Sequence, residues 1–193
     1  MKKLLYILLI VAGALSLSSC SGYNKMVEKQ EAVTSQWWNV QNAYQRRADL
    51  IPNLVNTVKG YAAHEQETFT QVTEARSRAT QTNINPENLT TESLQEYQQA
   101  QNQLSQSLGR LLLIQENYPE LKANQNFLAL QDELAGTENR ISVERNRFNQ
   151  LAQDYNSYIR KFPQVIYAKW FDFESKAYFE ALPEAQTAPQ VQF

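Results

Sequence analysis

The sequence predicts an all-α protein, an antiparallel four-helix bundle with an aromatic C-terminal extension. Three observations carry this reading. Apolar residues recur in alternating steps of three and four, and no segment alternates with the period of two that a strand requires. Glycine is scarce, with only Gly22, Gly60, Gly109 and Gly136 beyond the first twenty residues. The prolines Pro52, Pro86, Pro119, Pro163, Pro183 and Pro189 fall where helices are expected to start or stop.

The amino-terminal twenty residues stand apart. Lys2 and Lys3 precede an apolar run from Leu4 to Leu15, and Leu17-Ser18-Ser19-Cys20 closes the segment. A basic start, a short apolar stretch and small residues before a cleavage point describe a bacterial export signal over residues 1–19. The Leu-Ser-Ser-Cys ending resembles a lipobox, in which the Cys20 thiol is acylated and cleavage occurs just before it. An uncleaved spanning helix would need roughly 20 apolar residues, and Gly13 and Ser16 interrupt this run. The expectation is a lipid-anchored protein of the bacterial cell envelope, facing the periplasm or the exterior. Ser21 follows Cys20 without an acidic run, which leaves either membrane as the destination. Cys20 is the only cysteine, so no internal disulfide is expected.

Cleavage before Cys20 would leave 174 of the 193 residues, enough for one domain with a substantial core over residues 20–182. Without Lys2 and Lys3, 16 basic residues of the original 18 face 20 acidic ones, a net charge of about −4. That balance argues against a nucleic-acid partner, which calls for a basic face.

The first helical segment presents Met26, Val33, Trp37, Val40, Tyr44 and Ile51 on one seam. The second presents Val55, Val58, Ala62, Phe69, Val72 and Ala79, in phase with the first across Pro52. Either one helix kinks at Pro52 or two helices meet in a corner there. Proline suits the first turn of a helix and costs about 3 kcal/mol inside one, and Asp49 is placed to cap a new helix, so the corner is preferred. The third segment carries Leu94, Tyr97, Leu104, Leu108, Leu111 and Tyr118. The fourth begins near Asn124, a suitable cap, and repeats every seven residues through Phe127, Leu134, Ile141, Phe148, Tyr155 and Phe162, as coiled-coil helices do. Connections this short predict antiparallel neighbours.

After Pro163 the aromatics lose bundle spacing. Tyr167, Trp170, Phe171 and Phe173 either fold over one end of the bundle as a cap or form a partner-docking surface. Residues 183–193 form a small, polar tail expected to be disordered.

Polar residues, most of them charged, interrupt the seams. Arg47 lies on the first, Glu65 and Arg76 on the second, and Thr137 and Glu144 on the fourth with Glu138 beside them. A charge taken into a helix interface must find a partner or bear a desolvation cost of several kcal/mol. Both signs are present, so Arg47 or Arg76 can pair with Glu138 or Glu144. These residues, with Arg46, Asp49, Asn53, Lys59, His64 and Arg140, constitute a polar layer that either fixes helix register or binds a ligand or partner.

Catalytic patterns are weak. His64-Glu65-Gln66-Glu67-Thr68 begins like the zinc-protease helix but lacks the second histidine, and His64 is the only one in the chain. Di-iron bundle chemistry would need two Glu-x-x-His pairs. Phosphate-cradling and nucleophile-elbow motifs are missing as well. The expectation is a non-enzyme without metal or cofactor.

Several motifs together resemble the LemA family. They are Tyr23-Asn24-Lys25-Met26-Val27, Gln45-Arg46-Arg47-Ala48-Asp49-Leu50-Ile51-Pro52-Asn53-Leu54-Val55 and Val58-Lys59-Gly60-Tyr61-Ala62-Ala63-His64-Glu65. The fourth segment adds Phe127 to Leu134, Thr137 to Ile141, Tyr155-Asn156 and Phe162-Pro163, and Tyr178-Phe179-Glu180-Ala181 follows. The resemblance covers about residues 21–182 and implies an antiparallel helical bundle outside the cytoplasmic membrane. Many members carry an amino-terminal membrane helix where this chain has the Cys20 lipobox. The resemblance brings no settled activity. Two roles follow as expectations: a scaffold or adaptor for membrane or periplasmic protein partners, or a small-ligand or peptide sensor using the polar layer.

Overall fold

A computed structural model describes residues 2–86 and 89–180, with side chains from Ser21 onward. The side chains of the expected signal peptide, the Cys20 thiol and the polar tail lie outside the described residues. The elements are α1 (Lys2–Lys59), α2 (Gln66–Gln81), α3 (Thr91–Leu113), a 3-10 turn (Ile114–Asn117), α4 (Pro119–Lys122), α5 (Gln125–Arg160) and α6 (Gln164–Trp170). The described residues contain no strand, as the three-four spacing requires.

The chain divides into two compact units. The first comprises residues up to Tyr44 with Arg140–Lys176, and the second Gln45–Asn139 with the residues from Ala177 on. Helices α1 and α5 therefore contribute to both.

The second unit is the four-helix part. Its core gathers Ile51, Leu54, Val55 and Val58 of α1, Phe69, Val72, Ala75 and Ala79 of α2, Leu104, Leu108 and Leu111 of α3, and Phe127 and Leu134 of α5. Side-chain pairs fix the helix directions. Arg46 meets Glu133 and Arg47 meets Glu138, Arg76 meets Ala48, and Arg110 meets Gln71 while Gln101 meets Ala79. Between α2 and α3 the positions rise on one helix as they fall on the other, and Tyr61 meeting Asn124 at the far end from Arg46 and Glu133 shows the same for α1 and α5, so these neighbours are antiparallel. The helix starts are built as the sequence suggests. Thr90 and Ser93 form a reciprocal capping box on α3, and the Asn124 side chain accepts from the Phe127 amide at 2.9 Å to open α5.

The first unit pairs α1 with α5 around Met26, Val33, Trp37, Val40, Tyr44, Ile141, Phe148, Ala152, Tyr155 and Ile159, all buried. Trp37 meets Phe148 edge to face, with ring centroids 5.8 Å apart. Gln36 to Glu144 and Lys29 to Asp154 again run in opposite senses.

Two expectations are corrected. No corner forms at Pro52: α1 continues through it to Lys59, and the chain turns at residues 60–65. Pro52 sits on the exposed face of α1. The carbonyl it deprives of an i+4 donor, that of Ala48, accepts from Arg76 Nε at 2.8 Å. Asp49 is thus an interior residue of α1 and accepts from Gln45 Nε2 at 2.7 Å rather than capping a helix. The seven-residue repeat also ends one step early. α5 stops at Arg160, before the Phe162-Pro163 pair, and Phe162 is 81% exposed instead of buried.

Candidate functional site

The sequence-predicted polar layer divides between the two units. In the second unit Arg47 is its centre. It lies on the buried face of α1 beside Ala48 and one turn before Ile51, and is 1% exposed. Its Nη1 donates to Glu138 Oε1 and to Ser105 Oγ, each at 2.7 Å. Its Nη2 donates to the Gln101 side-chain oxygen at 2.6 Å and to the Gln101 carbonyl at 3.2 Å. Gln101 Nε2 in turn donates at 3.1 Å to the carbonyl of Ala79, in the last turn of α2 where carbonyls have no intrahelical partner. One guanidinium thereby links α1, α3 and α5 directly and α2 through Gln101. The Glu138 side chain is 42% exposed, so solvent screens the pair on one side.

The other predicted residues do not converge on Arg47. Arg46 forms a surface pair with Glu133 at 3.0 Å. Asn53 is exposed on α1, its carbonyl accepting from Thr57 Oγ1 at 2.8 Å. Lys59 Nζ lies 5.6 Å from the centroid of the Phe69 ring. His64 is exposed in the turn before α2, and Glu65 precedes the first residue of α2 with Tyr118 Oη 3.4 Å from its carboxylate. Arg76 serves Ala48, as above. Arg140 is exposed, and Glu144 belongs to the first unit, where Gln36 Nε2 donates to its carboxylate at 2.6 Å and to its carbonyl at 3.1 Å.

Besides Ser105, two buried participants escaped the sequence reading, Gln101 and Gln36, at 5% and 3% exposure. Both occupy seam positions, Gln101 between Tyr97 and Leu104 and Gln36 between Val33 and Val40. A search for polar residues of any kind at seam spacing would have found them.

Along α2 and α3, outside this network, runs an open polar surface lined by Arg78, Gln81, Glu96, Gln99 and Gln103, continuing to Gln71 and Arg110. Among the described residues no group of three His, Cys, Asp or Glu side chains is placed to hold a metal ion.

The aromatic segment forms a second candidate, in the first unit. α6 ends with Asp172 in the left-handed region at φ 55°, a conformation aspartate tolerates, and the Phe173 amide reaches back to the Ala168 carbonyl at 2.9 Å. This turn brings Phe171 and Phe173 edge-on to Tyr23 of α1, with centroids 5.0 and 5.6 Å away. Tyr167 meets Trp170 in the same manner at 6.1 Å. Asn156 holds the following stretch, its side chain donating to the Lys176 carbonyl and accepting from the Lys176 amide, both at 2.8 Å. Trp170 and Phe171 nevertheless remain 72% and 54% exposed. No described helix is long and apolar enough to cross a membrane.

Comparison with known proteins finds relatives along most of the chain. Protein LemA of Metamycoplasma hominis is 26% identical over 158 residues, covering 82% of this chain and 68% of the relative. Magnetosome protein MamQ of Magnetospirillum gryphiswaldense is 26% identical over 189 residues, covering 88% and 70% respectively. Magnetosome protein MamQ 2 of Paramagnetospirillum magneticum is 25% identical over 182 residues, covering 86% and 67%. The family model for the LemA family matches residues 36–193, most of the bundle and all of the Arg47 network. This chain belongs to the LemA family.

Proposed function

We propose that this protein is a non-catalytic scaffold or adaptor of the bacterial cell envelope, attached to a membrane by acylated Cys20. Its helical bundle presents its surface to membrane or periplasmic protein partners. The observation that carries the reading is the occupancy of the Arg47 layer. Both terminal nitrogens of the guanidinium are committed to Ser105, Glu138 and Gln101. A sensor would use that charge for a ligand, whereas here it fastens helices together, which suits a rigid platform. The lipobox ending at Cys20 supports the membrane attachment, since acyl chains on a diacylated or triacylated cysteine suffice for stable anchoring. A magnetosome name on two of the relatives fits a membrane-associated setting.

Two measurements test this. Metabolic labelling with a clickable fatty acid should mark the wild-type protein and leave Cys20→Ala unmarked; equal labelling of both rejects the anchor. Gentle crosslinking in intact cells followed by affinity purification should recover a reproducible set of envelope proteins. A folded, membrane-bound protein that recovers none, while binding a small molecule in a manner lost on Arg47→Met, would replace the scaffold by the sensor.

A further inference from the structure

The large apolar side chains exposed in the first unit are unevenly spread. Tyr23, Phe162, Ile166, Trp170 and Phe171 are 39%, 81%, 40%, 72% and 54% exposed and lie at the start of α1 beyond Cys20 or in and around α6, whereas Trp38 and Val143, 49% and 61% exposed, stand apart on α1 and α5. Ile166 and Trp170 are four residues apart and share one face of α6. Ring contacts join Tyr167 to Trp170 and join Phe171 and Phe173 to Tyr23. The surroundings are basic: Arg160, Lys161 and Lys169 are all exposed, and residues 155–171 contain no aspartate or glutamate. Acidic residues flank this stretch, with Asp154 before it, paired to Lys29 at 3.1 Å, and Asp172 and Glu174 after it. Soluble monomers rarely leave so many large apolar groups together in water.

We infer that this surface is a membrane-contact face, in which Trp170, Phe171, Phe162 and Ile166 enter the headgroup and upper acyl region of an anionic bilayer. Arg160, Lys161 and Lys169 lie at the level of its phosphates. The inference rests on the proposed anchor. Tyr23 is three residues past Cys20 on one continuous helix, about 4.5 Å of axial rise. Whatever holds residue 20 at a bilayer surface therefore brings Tyr23, and with it Phe171 and Phe173, to that surface. The chemistry matches what is found there. Tryptophan and tyrosine concentrate at membrane interfaces, and lysine and arginine extend apolar stems while keeping their charges among headgroups. Each cation near an anionic leaflet strengthens attachment about fivefold. A protein partner would account for the aromatics but not for their closeness to the anchored residue. The consequence is a second point of attachment, which holds α1 at a fixed tilt where acyl chains alone would let it swivel.

The test uses the full acylated chain in vesicles of phosphatidylethanolamine and phosphatidylglycerol, with and without bromine on the acyl chains. Bromine quenches only tryptophan that reaches the acyl region. Wild-type emission should fall in brominated vesicles, whereas Trp170→Phe should float with the vesicles equally well and lose the quenching. Because Trp170 is largely exposed, this replacement leaves the core intact. Changing Arg160, Lys161 and Lys169 together to glutamine should reduce the quenching in anionic vesicles. Vesicle-bound wild type without quenching, or quenching unchanged in Trp170→Phe, overturns the membrane-contact face while leaving the anchor in place. Trp170 shielded from aqueous acrylamide in native membranes yet untouched by bromine would assign the surface to a protein partner instead. A wild-type chain that does not float rejects the anchor and this inference together.

Discussion

Arg76 hydrogen-bonds the carbonyl of Ala48 at 2.8 Å, the acceptor four residues before Pro52 that α1 cannot satisfy through the proline nitrogen. Proline within a helix is unfavourable partly because of this lost bond. A neighbouring helix here supplies the missing donor, and with a charged group, whose hydrogen bonds are worth more than neutral ones. Partial solvent access at Arg76 lowers that value. Arg76→Ala should therefore cost about 1 kcal/mol. In a Pro52→Ala background, where residue 52 again has an amide N–H, the same change should cost much less. Denaturation midpoints of the four proteins measure the coupling. Equal costs in both backgrounds would show that Arg76 does not compensate for the proline.

Arg47 and Glu138 differ in burial, and the difference sets the sign of the next expectation. Removing Glu138 leaves a guanidinium whose side chain is 2% exposed without its counter-charge, whereas removing Arg47 leaves a carboxylate 42% exposed that water can reach. Stranding a charge of a fully buried pair costs about 3–5 kcal/mol. Solvent access on the Glu138 side reduces this to about 2 kcal/mol for Glu138→Gln. Arg47→Met should lose the bridge to Gln101 and Ser105 as well, and the double variant should be more stable than the sum of the single losses predicts. Additive losses in urea denaturation would mean that the pair does not set helix register.

The apolar seams of α3 and α5 give a direct test of the core. Leu108 and Leu134 are 3% and 6% exposed and lie in the same apolar cluster. Each Leu→Ala change should lower stability by about 2–5 kcal/mol. Wild-type midpoints for both would reject the packing.

Much of this architecture is legible in the sequence because burial is periodic. Phe127, Leu134, Ile141, Phe148 and Tyr155 keep the spacing and are all buried. Phe162 keeps the spacing too, but the chain leaves the helix before it, and spacing has no meaning beyond a helix end. Arg47 and Glu138 are readable as interruptions of opposite charge that must answer each other. Pro52 misleads for a physical reason: its cost in a helix depends on what occupies the surroundings, and Arg76 is 24 residues away in sequence. Gln101 and Gln36 are quieter still, since an uncharged amide on a seam carries no sign to match.

Tyr155 supplies the pH-dependent expectation. It is fully buried on α5, and its hydroxyl has no hydrogen-bond partner among the described residues. Burial, aided by the negative charge of Glu174, pushes its phenol up to about 12 from the usual 10.0. In the unfolded chain the phenol ionises first, so between these values the unfolded state holds fewer protons than the folded one. Stability from this group is therefore complete below pH 10 and is lost as pH rises through about 12. The full effect is on the order of 2–3 kcal/mol. Tyr155→Phe should remove that alkaline loss. It should also leave stability at neutral pH unchanged or slightly higher, because a buried hydroxyl without a partner carries a desolvation penalty of about 1–3 kcal/mol. Thermal midpoints measured from pH 7 to pH 11 decide the matter. A Tyr155→Phe protein markedly less stable at pH 7, or one that keeps the wild-type alkaline decline, would show that the hydroxyl has a partner in solution.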